Sequence, residues 1–102
     1  MPIMKILMLT GATETKAAKL ATELYSLCSH QGMNIEIIKA NLFTTNIELL
    51  EEQEKPTIIL VVGTNKVISQ TPVINGMALM YPWMGIDKVV DDISQYYKQD
   101  LK

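Results

Sequence analysis

The residues Thr10-Gly11-Ala12-Thr13-Glu14-Thr15-Lys16 bring three hydroxyls, a carboxylate and an ammonium group into one short segment. They lie between an apolar run ending at Leu9 and a helical pattern beginning at Glu14, and so read as a strand-to-helix loop. Such a loop offers free backbone N–H groups and the positive end of a helix dipole, which together hold an anion. The plainer role for the same side chains is capping, with Thr13 or Thr15 as N-cap and Glu14 in the first turn. A single glycine rules out both the dinucleotide fingerprint and the P-loop, which need several.

Other chemistry-bearing residues are few. The chain has one Cys and one His, Cys28 and His30. A lone Cys makes no internal disulfide, and the pair is too small for a metal site. Cys28 falls on an apolar helical stripe about 14 residues past the helix start, ~21 Å from the loop, and reads as a buried structural thiol. His30, near the helix end, suits the negative end of the dipole. The acidic run Glu48, Glu51, Glu52, Glu54 reads as a solvated helix face. Between Met77 and Met84 the chain is rich in Met and aromatic residues. Met77, Met80, Tyr81 and Trp83 are candidates for a partner or homodimer surface, with core packing as the alternative.

The elements that position these groups follow from periodicity. Ile3 to Leu9 is a short apolar run broken only by Lys5, as expected of a strand buried on both faces. Glu14 to Gln31 is helical, with Ala17, Ala21, Leu24 and Cys28 on one stripe and Leu20 and Leu27 beside it. Gly32 stands where a helix C′ residue belongs. Asn34 to Ala40 is a second strand, Asn46 to Glu54 a short helix or turn closed by Pro56, and Thr57 to Val62 a third strand ended by Gly63. A loop through Thr64, Asn65 and Lys66 leads to a short fourth strand over Thr71 to Ile74, and Asn75-Gly76 is a turn. Ile86, Val89, Val90, Ile93, Tyr97 and Leu101 outline a last helix. The order predicts one α/β domain over residues 1–102. It is an open four-stranded, mostly parallel, Rossmann-like sheet with helices on both faces. Ligands of such folds bind at the carboxyl ends of the strands, in the loops Thr10 to Lys16 and Gly63 to Gln70.

Composition agrees. The chain has 102 residues, 48% apolar and 20% charged, enough to bury a core in one small domain. Nine Lys face eleven acids, for a formal charge of −2 with no Arg. No basic stripe or guanidinium fork is offered to nucleic acid. The opening Met1-Pro2-Ile3-Met4-Lys5 lacks the pattern of a signal peptide, and no apolar run is long enough to insert in a membrane, so a cytoplasmic protein is expected.

Over most of its length the chain resembles the galactitol-type IIB component of the sugar phosphotransferase system. The resemblance is carried by Lys5-Ile6-Leu7-Met8-Leu9-Thr10-Gly11, by Thr71-Pro72-Val73-Ile74-Asn75-Gly76-Met77 and by Met84-Gly85-Ile86-Asp87. Leu27-Cys28 and Ile35-Glu36-Ile37-Ile38 fall in register with it. It implies an α/β fold, no cofactor, and partners in a IIA component and a membrane IIC component. In that family a loop cysteine accepts phosphoryl from a IIA histidine and passes it to sugar. Thr10 occupies that position here, and Lys16-Ala17-Ala18 matches the family's hydroxyl-bearing run. A hydroxyl is a far poorer nucleophile than a thiolate, so the resemblance implies a relative that binds or regulates rather than carries phosphoryl.

A second resemblance is to the phosphate loop of flavodoxins, on Thr10-Gly11-x-Thr13-Glu14, with Tyr81 or Trp83 stacked on a flavin. The chain is short for that family and has no aromatic after the third strand. A receiver domain fits worse, since it needs an aspartate at the end of the third strand, where Gly63 stands.

Overall fold

A computed structural model describes residues 3–63 and 66–100. Met1 and Pro2 of the opening segment, Thr64 and Asn65 of the third loop, and Leu101 of the last apolar stripe lie outside the described residues. The order is β1 (Met4–Thr10), α1 (Glu14–His30), β2 (Ile35–Asn41), α2 (Ile47–Glu54), β3 (Ile58–Val62), β4 (Val73–Asn75) and α3 (Ile86–Asp100). Two 3-10 turns, Met77–Leu79 and Pro82–Met84, lie between β4 and α3. The strands form one sheet in the order β2-β1-β3-β4, and every pairing is parallel.

Period-two alternation divides the sheet residues between two faces. Met4, Ile6 and Met8 of β1, with Ile58, Leu60 and Val62 of β3, join the buried faces of α1 and α3 in one large core. Leu7, Leu9, Ile59 and Val61 point the other way and meet Ile47 and Leu50 of α2. Helices thus cover both faces, two on one side and one on the other. The continuous apolar runs in β1 and β3 follow from their central places: β3 is buried throughout, and β1 everywhere but Lys5.

The helix ends carry their own signals. Thr13 is the N-cap of α1, its hydroxyl accepting the Lys16 N–H at 3.3 Å. Gly32, at φ 76°, supplies the left-handed turn after it. Asn46 caps α2 by accepting the Leu49 N–H at 3.1 Å. The segment read as helix or turn is therefore a helix, ended by Lys55 in the left-handed region at φ 48°. The fourth strand lies two residues later than its sequence suggests at the start, at Val73, because pairing with Ile59 to Val61 sets its limits. Tyr97 of α3 accepts the Asn34 N–H at 3.2 Å and ties the last helix to the entry of β2.

Candidate functional site

All four strands run the same way, so their carboxyl ends share one edge of the sheet. The chain leaves β1 to one side for β2 and later to the other for β3 and β4. The switch point of the topology therefore lies between the ends of β1 and β3, at Thr10 and Val62. Thr10 has the parity of Met8 and Ile6, which turns its side chain toward the α1 layer. It is only 2% exposed, the one buried polar residue among those described. Its hydroxyl accepts the Ala12 N–H at 3.1 Å.

That hydrogen bond folds the loop back into the start of α1. Thr13 then takes the Lys16 amide, as capping predicts, leaving Glu14 and Thr15 at the open helix end. Gly11, Thr13, Glu14, Thr15 and Lys16 are exposed and Ala12 is half-buried. A shallow cavity of about 300 Å³ lies over this corner, lined by Thr10, Ala12, Glu14, Ala17, Lys39, Ala40 and Asn41. Lys39 and Asn41 reach it because Thr10 is in register with Asn41. They bring one cation and one amide that the loop sequence does not announce. The cavity combines backbone amides, a helix end and the Lys39 ammonium against the Glu14 carboxylate, an arrangement that suits a weakly held anion.

Nucleophilic chemistry has no visible support here. Among the described residues no carboxylate or imidazole hydrogen-bonds the Thr10 hydroxyl, and an aliphatic hydroxyl needs such a base. Cys28 is fully buried in the α1 layer, and burial pushes its thiol up to about 11, which keeps it protonated and unreactive at neutral pH. No three His, Cys, Asp or Glu side chains among the described residues converge on a metal position.

Phe43 and Lys39 are the site-edge residues that sequence reasoning missed. Asn41 accepts the N–H groups of Phe43 and Thr44 at 2.8 and 3.2 Å, a tight turn off the end of β2. This swings the exposed Phe43 ring against Gly11, where an added Cβ would stand 2.4 Å from Cε2 of the ring. The signal available in the sequence was Asn41 itself, a turn-former two residues before an aromatic.

The Met- and aromatic-rich passage divides. Ala78 and Leu79 are buried, Met77 is half-buried, and Met80 packs against the main core. Tyr81, Trp83 and Met84 are exposed, Trp83 at 80%. The Tyr81 and Trp83 rings tilt against each other at 5.4 Å between centroids. Neither lines the Thr10 cavity. Of the acidic run, Glu54 faces Lys5 at 3.8 Å and Glu51 accepts the Ser69 hydroxyl, so the run is not wholly a solvated face. His30 is exposed in the last turn of α1. No helix among the described residues is long and apolar enough to cross a membrane.

Compared with family models, curated proteins and solved structures, the chain finds no match.

Proposed function

We propose that the chain is a IIB-like component of a phosphoenolpyruvate-dependent sugar phosphotransferase system of the galactitol type, degenerate at its phosphorylation site and acting by binding or regulation. The observation that carries the reading is the environment of Thr10. It ends the central strand at the switch point, buried at the foot of α1, where a carrier cysteine would stand in the family the sequence resembles. Its hydroxyl is occupied with the Ala12 amide, and no base adjoins it. A side chain held this way shapes the loop and takes no phosphoryl group.

On this reading Gly11 to Lys16 form the contact loop for a IIA component. Tyr81 and Trp83, flanked by Met77 and Met80, form a second partner surface, toward the cytoplasmic side of a IIC component or a second copy of the chain. The protein works in the cytoplasm without inserting in the membrane or binding nucleic acid. The test is incubation with phosphoenolpyruvate, the general phosphotransferase proteins and a galactitol-type IIA component, followed by intact-mass measurement. The expected spectrum shows the unmodified mass only, and a stoichiometric, acid-stable phosphate on Thr10 would overturn the degenerate-site reading.

A further inference from the structure

The two faces of the sheet are unequally covered. One carries α1 and α3, of 17 and 15 residues; the other carries only α2, of 8, and the irregular chain after β3. No residue of α2 is fully buried. Between α2 and residues 66–70 runs an open groove of about 750 Å³. Its apolar lining comes from Leu42, Phe43, Ile47, Val67 and Ile68. Phe43 is 70% exposed and Ile68 97%, so the groove displays large hydrophobes that this chain leaves uncovered.

Charge indicates what would cover them. Glu48 and Glu51 stand on the groove wall, against the single cation Lys66. Glu52 and Glu54 follow, and the last turn of α2 has no basic residue. Glu52 and Glu54, toward the negative end of the dipole, lie outside the groove lining and Glu48 stands at the positive end, so the acidity of the wall rests on Glu48 and Glu51, two carboxylates against one ammonium. Lys5 answers Glu54, and Ser69 donates to Glu51. Among the described residues neither Glu48 nor Glu52 has an ion-pair partner. An apolar floor with an acidic wall complements a helix that carries apolar residues on one stripe and Lys or Arg beside it.

We infer that this groove docks a basic amphipathic α-helix of a partner protein, laid beside α2 with its apolar stripe on Phe43 and Ile68. The groove adjoins the Thr10 loop at Phe43, whose ring lies against Gly11, and its proposal does not rest on the function proposed for that loop.

The test is fluorescence anisotropy of a labelled synthetic helix, with Leu at i, i+4 and i+7 and Lys on the flanks, titrated with the full chain at low salt. Two control peptides accompany it, a scramble of the same composition and the same pattern with Glu in place of Lys. Binding at about 0.1 mM or tighter is expected for the matched peptide, and at least ~10-fold weaker binding for both controls. Ile68→Ser, at a solvent-exposed position that leaves folding untouched, should weaken binding ~5-fold or more. Glu48→Lys, on the groove wall, should weaken it ~5-fold at low salt and less at high salt. No binding, equal binding of the scramble, or binding unmoved by Ile68→Ser overturns the proposal. So does sedimentation showing that the chain pairs with itself through Ile68, which makes a second copy the occupant.

Discussion

Thr10 and Cys28 are both buried on the α1 side of the sheet, yet their surroundings ask opposite things of a thiol. At position 10 an amide N–H already points at the side-chain oxygen from Ala12, and the positive end of α1 lies just beyond. Thr10→Cys should therefore yield a thiol that ionises below ~8.5, read as the midpoint of its alkylation rate against pH. Cys28 in the same protein supplies the comparison, since burial raises it to about 11. A residue-10 thiol titrating at or above 8.5 would mean that the loop does not present its amides to that position. The raised value at Cys28 also has a consequence for stability. An unfolded thiol loses its proton near 9.0 while the folded one keeps it to about 11. Folding is then fully favoured below 9 and loses support as pH rises from 9 to 11, by up to about 3 kcal/mol. Urea denaturation across that range should show Cys28→Ala losing less stability with pH than the parent protein, and parallel curves would contradict the assignment.

Among the elements, two glycines at the carboxyl edge of the sheet separate loop from core. A Cβ on Gly76 would meet Leu60 Cγ at 2.8 Å, and Leu60 is fully buried on β3. Gly76→Ala should cost ~1–3 kcal/mol, because the core must shift. The nearest atoms to a Cβ on Gly11 belong to the exposed Phe43 ring, which can swing into solvent, so Gly11→Ala should cost under ~1 kcal/mol. Denaturation midpoints of the two variants check the contrast, and equal losses would mean that Phe43 is held more firmly than its exposure implies. Tyr97→Phe removes the acceptor of the Asn34 N–H and should cost ~1 kcal/mol by the same measurement, whereas no loss would make the α3 tie dispensable.

The same contrast explains what the sequence could and could not announce. β1, β3, α1 and α3 were legible because burial on both faces or on one stripe leaves a period in the residues. A threonine cap at Thr13 or Thr15 was legible because capping is a local hydrogen bond, and the structure selects Thr13. Val73 to Asn75 was not, because three residues on an edge carry no period and their limits are set by β3. Lys39 and Asn41 join the Thr10 cavity only through the β1–β2 register, a long-range fact. The exposure of Ile68 was equally hidden, since an isoleucine in a loop reads as core until the layer above it proves too thin.

At the scale of the molecule, the site loop and the groove beside α2 meet at Phe43, and the Tyr81–Trp83 surface is a third place on the same small sheet scaffold. α1 joins the first to the larger core, and the others project from segments with little buried side chain of their own. If the chain is the IIB-like binding protein proposed above, it should use the loop at the switch point, whatever else the other two surfaces engage. The most direct test follows the amide resonances of the labelled full chain as a galactitol-type IIA component is added. The account predicts shifts concentrated from Gly11 to Lys16 and spreading to Lys39 and Asn41 across the strand register. Shifts absent from that loop at saturating IIA, or confined to Phe43 and Ile68, would contradict it.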